Sequence, residues 1–127
     1  MGWETFGKGL KIYFKKYKWS NTVLTNFIDS LQEGYNQDHP DGKLDLHTWA
    51  DKWLKTKGPN TISYEYEEEN GKIKSFKIKQ GFTKFGDHVY RTQCINIGFY
   101  SQDMSFKEHE KITIKDQEIT EVPELVG

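Results

Sequence analysis

The apolar positions change their period once along this chain. From Phe6 to Leu54 they recur at helical spacing, and from Ile62 to Val122 they alternate. Phe6, Leu10, Tyr13, Phe14 and Tyr17, at i, i+4, i+7, i+8 and i+11, share one helix face, with Lys8, Lys11, Lys15 and Lys18 on the other. Leu24, Phe27, Ile28 and Leu31 form a second stripe, and Leu46, Trp49, Ala50, Trp53 and Leu54 a third. The first helix is expected from Trp3-Glu4 to Lys18-Trp19. Asn21 or Thr22 then caps the second, which ends near Gly34 as a left-handed residue. Tyr35 to Lys43 reads as a loop, Asp45 as the cap of the third helix, and Gly58-Pro59 as its stop. Isolated helices of this length are marginal in water, so the three stripes need one another.

Beyond Asn60 the expected elements are strands. Ile62, Tyr64 and Tyr66 alternate, the stretch from Glu67 to Gly71 turns, and Phe76 and Ile78 resume the alternation. A two-residue Asn-Gly loop would set Tyr66 opposite Ser75 and Tyr64 opposite Lys77. A three-residue loop of Glu69, Asn70 and Gly71 sets Tyr64 opposite Phe76 and Ile62 opposite Ile78. The second is expected, with Gly71 left-handed, because a one-residue slip turns a strand's apolar set to the wrong face. Gln80-Gly81 to Asp87 reads as irregular, held by Phe82 and Phe85. His88 to Tyr100 reads as one long strand in which Gly98 marks a bulge or a close approach. Lys107 to Lys115 and Gln117 to Val122 are two shorter strands, bent at Asp116-Gln117. The tail from Val122 to Gly127 has no closing element and reads as a cut end. The predicted class is α+β, a three-helix subdomain over residues 1–58 followed by a partial antiparallel β-sandwich over 59–127.

Composition changes this picture little. At 127 residues there is room for one ordinary domain or two small units. A net charge of -1 gives no global attraction to nucleic acid or to membranes. Residues 1–57 carry nine lysines against seven acids, and residues 58–127 nine basic against twelve acidic groups, too mild an asymmetry for a charged tail. Cys94 is the only cysteine, which rules out an intrachain disulfide and fits a reducing, cytoplasmic location. No apolar run approaches the ~20 residues of a membrane helix. Four Trp, seven Tyr and eight Phe are a heavy aromatic load, the mark of a packed core or an interface.

Gly9-Leu10-Lys11-Ile12-Tyr13-Phe14-Lys15-Lys16-Tyr17, then Trp19-Ser20-Asn21-Thr22 and Phe27-Ile28, resembles the zinc aminopeptidases of the aminopeptidase N type. In that family a Gly-Leu-x-x-Tyr-Phe helix and an Asn-Thr-capped helix lie near the end of the catalytic domain. Asp45-Leu46, Trp49-Ala50, Trp53-Leu54, Lys57-Gly58 and Asn60-Thr61 resemble its last helix and the exit into a β-sandwich. Gly81, Arg91, Ile97-Gly98-Phe99-Tyr100 and the run Glu121-Val122-Pro123-Glu124-Leu125 resemble that sandwich. No motif in the series is diagnostic by itself; the order carries the resemblance over nearly the whole chain. It implies a parent in which a His-Glu-x-x-His helix and a downstream Glu hold zinc, a Gly-x-Met-Glu-Asn strand binds the substrate amine, and a Tyr donates a proton. None of these motifs occurs in this sequence, and by position they would precede Met1. The resemblance therefore implies a segment with no catalytic, cofactor-binding or metal-ligating residues of its own. Its partners would be the rest of the parent polypeptide and, for the parent, peptide substrates.

Four local patterns invite other chemistry. His109-Glu110-Lys111-Ile112-Thr113 begins like a zinc helix, but Thr113 stands where the second imidazole must be, and the stretch reads as strand. Asp38, Asp41 and Asp45 around Gly42 hint at a calcium loop, yet Gln37, His39 and Thr48 fall where carboxylates are needed; turn and cap chemistry is the better reading. The lysines among Tyr13, Phe14, Tyr17 and Trp19 suggest nucleic-acid stacking, but the aromatics lie on the face opposite most of them. Cys94 has no neighbouring base to activate it. Trp49 and Trp53 suit a core, or a surface docked on a larger body. His39, His47 and His88 have no ligand spacing. Two functions follow: a segment of a zinc aminopeptidase, structural and inactive alone, or a stand-alone interaction module using an open strand edge. A severed segment is expected to expose a large apolar patch and to self-associate.

Overall fold

The computed structural model describes the backbone of all 127 residues and the side chains of all but residues 108–110. The chain divides into two units, Met1–Lys55 and Thr56–Gly127.

The first unit is three helices, α1 (Trp3–Lys16), α2 (Leu24–Asp38) and α3 (Leu46–Leu54). The Asp45 carboxylate caps α3 as expected, accepting the backbone N–H groups of His47 (2.9 Å) and Thr48 (3.2 Å). The cap of α2 is neither Asn21 nor Thr22. Val23 occupies the cap position, its N–H donating to Asn26 Oδ1 at 3.0 Å, while the Thr22 hydroxyl is taken by the Tyr13 hydroxyl at 2.6 Å. Nor does α2 stop at Gly34; it runs to Asp38, and the loop after it is correspondingly shorter. Gly34 serves a helix crossing instead. A Cβ there would lie 2.5 Å from Gly9 N and 2.8 Å from Gly9 Cα, and one on Gly9 would lie 2.8 Å from Leu31 Cα. So α1 meets α2 through a line of small residues, with Thr5 and Gly9 its buried positions. Backbones this close leave no room for bulk on the contact line, which is why the predicted α1 stripe is only half covered and Phe14 is 65% exposed. The core is Ile28 and Leu31 of α2 with Leu46 and Ala50 of α3, flanked by Phe6, Phe27 and Leu44. Leu24 and Leu54, also expected inside, are exposed, and so are Trp49 and Trp53, which suit a core or a docked surface equally in the sequence.

The second unit is two antiparallel sheets. One has the order β1 (Asn60–Glu69), β2 (Lys72–Phe82), β5 (Ile119–Glu121); the other pairs β3 (Gln93–Tyr100) with β4 (Phe106–Ile114). Phe76 and Ile78 of β2, Ile112 and Ile114 of β4, Val122 and Leu125 share one core, with Ile73, Ile95, Ile97 and Phe99 packed on it. The class is α+β, helices followed by a small two-layer β structure.

Four details differ from the sequence reading. The stretch from Gln80, expected irregular, stays in β2 to Phe82, and Phe85, expected to hold it, is exposed. The β1–β2 turn is a two-residue loop: Asn70 (φ 53°) and Gly71 (φ 72°) are both left-handed, and Glu69 pairs with Lys72. Facing is restored by a bulge. Glu68 pairs with Ile73 but Glu67 with Ser75, which leaves Lys74 as an extra residue and sets Tyr66 opposite Phe76 and Tyr64 opposite Ile78. The strand expected from His88 begins only at Gln93, because side chains replace the ladder before it. Asn60 Nδ2 donates to Val89 O (2.8 Å), Gln80 Nε2 to Arg91 O (2.7 Å), and Arg91 N to Gln80 Oε1 (3.2 Å). Finally, the tail does close on the unit. Pro123–Leu125 forms a 3-10 turn, Leu125 is buried, Val122 N donates to Phe76 O and Gly127 N to Ile73 O, both at 2.9 Å. Gly98 is a close approach, where a Cβ would meet the Phe106 ring at 2.6 Å; the bulge of this hairpin lies between Ile95 and Ile97. Among the described residues no helix is long and apolar enough to cross a membrane.

Candidate functional site: an aromatic strand edge and a buried arginine

β1 lies at the edge of its sheet, with β2 on its inner side. Directly opposed residues of an antiparallel pair point to the same face, so Ile62, Tyr64 and Tyr66 share the face of Gln80, Ile78 and Phe76. Those β2 residues are buried by the second layer, yet Ile62, Tyr64 and Tyr66 are 42%, 66% and 53% exposed. The rings form an ordered stack. Tyr64 lies within 5° of parallel to Phe76 at 5.9 Å, and Tyr66 is 6.4 Å from Phe76 and 6.3 Å from Tyr64. Phe99 meets Phe76 edge-on at 6.3 Å from the core side. On the outer face Glu65 pairs with Lys79 at 2.5 Å, an exposed ion pair worth little by itself.

The N-terminal end of β1 is anchored by Arg91, which is 2% exposed. Its Nη1 donates to Asn60 Oδ1 at 2.9 Å and its Nη2 to the Thr56 hydroxyl. Gln80, equally buried, serves both backbone groups of Arg91 and also donates to Lys115 O at 2.7 Å. Nearby, Lys57 N donates to Asp87 Oδ2 and Asp87 N to Lys57 O. Among the described residues no buried side-chain nitrogen or oxygen lacks a partner. The arrangement fixes backbone. Residue-by-residue reading missed it, although Gln80 was a legible signal: a polar residue two positions after Ile78 on the inward face must find hydrogen bonds there.

The residues weighed for other chemistry lie apart from one another. Thr5 donates to Asp38 at 2.7 Å and Lys8 pairs with the same carboxylate; Asp45 caps α3, and Asp41 is exposed. The Asp38 carboxyl is held below its usual range by Lys8 first and Thr5 second. The Asp45 carboxyl is lowered by the Thr48 hydroxyl and then the Thr48 N–H. His39 packs on Tyr35 and His88 on Phe82, each at 4.7 Å, and His47 Nε2 lies 2.8 Å from Asp29. The side chains of His109 and Glu110 lie outside the described residues; their backbone is in β4. Cys94 is exposed on β3. Lys16 and Lys18 sit over Tyr17 and Trp19 at 5.6 and 6.0 Å. Among the described residues no group of three His, Cys, Asp or Glu is placed to hold a metal ion.

The fold and its side chains thus define an α+β chain of three helices and a two-layer antiparallel β unit. No protein-family model matches the sequence. Aminopeptidase N of Streptomyces lividans aligns with the whole chain at 34% identity over 136 residues, and the chain covers 15% of that protein. Aminopeptidase N of Lactococcus lactis subsp. lactis is 35% identical over 69 residues, 54% of this chain and 7% of that protein. The chain is homologous to a segment of aminopeptidase N, and the resemblance carried by the ordered motifs from Gly9 onward is borne out.

Proposed function

We propose that this chain is a structural segment of a zinc-dependent aminopeptidase, an enzyme that removes N-terminal residues from peptides in the cytoplasm. The reading is carried by the match of the entire chain to an enzyme of that name. In the parent, the helical unit would be the end of the catalytic domain and the β unit the start of the following sandwich. The segment would buttress the substrate cleft and form the junction between those domains. Its partners are then the remaining parent polypeptide and, through the parent, peptide substrates. Zinc would supply the parent with an activated water. The described residues of this chain do not suit that ion, since their His, Asp and Glu side chains are dispersed among caps, ion pairs and ring contacts. No step of hydrolysis is assigned to them.

The test has two arms. The 127-residue chain with added zinc is expected to leave aminoacyl fluorogenic substrates intact; zinc-dependent turnover by the pure chain would refute the reading. The coding sequence upstream of Met1 is expected to carry a His-Glu-x-x-His helix. A second reading, a stand-alone interaction module, is favoured by the exposed edge of β1.

A further inference from the structure

We infer that Asn70 is a site of spontaneous covalent modification, at which the backbone nitrogen of Gly71 displaces the side-chain amide as ammonia and the product lengthens the β1–β2 turn. This does not rest on the peptidase reading. Asn70 is the one asparagine of six that precedes glycine, so no side chain on the following residue crowds the attacking nitrogen. Both turn residues are exposed, and a Cβ on Gly71 would meet nothing within 4 Å. Among the described residues neither the Asn70 side-chain amide nor the Gly71 N–H has a hydrogen-bond partner. Only two residue pairs, Glu69 with Lys72 and Glu68 with Ile73, separate the turn from the bulge at Lys74, so the ladder beside it resists local opening least.

Asp41-Gly42 is the internal contrast. An aspartate before glycine is open to the same ring closure, and the sequence marks both sites alike. There, however, Gly42 N donates to His39 O at 2.9 Å, and a Cβ on Gly42 would lie 2.5 Å from the Tyr35 hydroxyl. That nucleophile is occupied and its surroundings are packed. At Asn70 the Gly71 nitrogen gives up its proton and bonds to Cγ, the Cγ–Nδ2 bond breaks, and Nδ2 leaves with that proton as ammonia. Water then opens the five-membered imide. Attack at Cγ leaves aspartate; attack at the backbone carbonyl carbon of residue 70 leaves isoaspartate, whose main chain runs through Cβ and Cγ. Either product adds a negative charge beside Glu67, Glu68 and Glu69. Isoaspartate also adds a main-chain carbon to a two-residue turn whose Asn70 (φ 53°) and Gly71 (φ 72°) match the strand twist, and so disrupts the pairing of Glu69 with Lys72.

The experiment ages the 127-residue chain in neutral to mildly alkaline buffer. Peptide mapping by mass spectrometry follows each asparagine, and a carboxyl methyltransferase labels isoaspartate. Loss of the Asn70 amide is expected to run at least ~tenfold faster than loss at Asn36, which is also exposed but held within α2, and to quicken as pH rises. Asn70→Gly, which keeps a residue suited to the left-handed turn, is expected to abolish the label. In the separated isoaspartate form the Lys72 amide is expected to lose its protection from hydrogen exchange while the Ile78 amide keeps it. A chain whose Asn70 outlasts Asn36 overturns the inference. So does a label that survives Asn70→Gly, which would place the reaction at Asp41 or elsewhere. Unchanged protection at Lys72 would overturn the lengthened turn.

Discussion

The crossing of α1 and α2 at Gly9 and Gly34 gives a prediction whose sign separates packing from helix propensity. Alanine at Gly34 should favour the helix by ~1 kcal/mol on propensity alone. The structure reverses that sign. The new Cβ would sit 2.5 Å from Gly9 N, 2.8 Å from Gly9 Cα and 3.3 Å from Lys8 C, all backbone atoms that no rotamer change can clear. The helices must part, and they carry Ile28 and Leu31 of the core with them. Overpacking of this kind typically costs ~1–3 kcal/mol, and an obstacle made only of backbone belongs at the upper end. The net for Gly34→Ala is a loss of about 2 kcal/mol. Gly7, two residues before Gly9 on α1, is the control: its Cβ would meet nothing within 4 Å, so Gly7→Ala should stabilise by ~0.5–1 kcal/mol. Urea unfolding followed at 222 nm reads the helical unit, and the midpoints should move in opposite directions at constant slope. A Gly34→Ala midpoint at or above that of the parent chain, or a Gly7→Ala midpoint that falls with it, would refute the crossing.

Gln80→Leu should destabilise the β unit by roughly 2–4 kcal/mol, because it strips partners from the buried backbone of Arg91 and from Lys115 O; urea titration read on the Ile114 amide by NMR checks it. Asp38, with its folded pKa lowered by Lys8 and Thr5, adds stability that is whole above its ordinary value of 3.8 and fades as pH falls through the folded value. Asp38→Asn should therefore lower stability at pH 7 and flatten the acid limb of the pH–stability curve, and an unchanged limb would count against the Thr5–Asp38–Lys8 contact. The Asp103 carboxyl, bound by the Ser101 hydroxyl and then by the N–H and hydroxyl of Ser105, should titrate near 2 by carbon-detected NMR. Ser101→Ala should raise that midpoint toward 3.8, and no change would show that the turn is not held this way.

Periodicity was sufficient for element type nearly everywhere, because burial of one face imposes it. Boundaries and contact geometry were legible only where one local residue decides them, as Asp45 does at α3. Gly34 looked like a terminus from its own sequence, and only the position of Gly9, twenty-five residues earlier, shows it to be a crossing. The β1–β2 hairpin teaches the same. The facing constraint was right, but a bulge at Lys74 satisfies it as well as a longer loop would, and alternation does not distinguish them. The exposure of Tyr64 and Tyr66 was illegible for another reason. Alternation says that a strand has an apolar face, not whether another layer reaches far enough to cover it.

How the chain spends its polar groups bears on what kind of protein segment it is. A reacting site needs side chains held in place yet left with an unsatisfied donor, acceptor or lone pair turned toward a ligand. The buried polar residues here turn to the fold: Gln80 bonds backbone, Arg91 bonds Asn60 and Thr56, and Ser30 donates to the carbonyl of Asn26 within its own helix. The described acids with lowered pKa values, Asp38, Asp45 and Asp103, owe the shift to lysine, hydroxyl or N–H partners within the fold. Apolar area turned outward lies in the Tyr64 and Tyr66 rings and along Trp49 and Leu54 of α3. Large ordered aromatic surface is costly to leave in water and is the characteristic material of interface centres. Such a distribution, with polar chemistry turned inward to hold backbone and apolar area turned outward, is what the structural role proposed above requires.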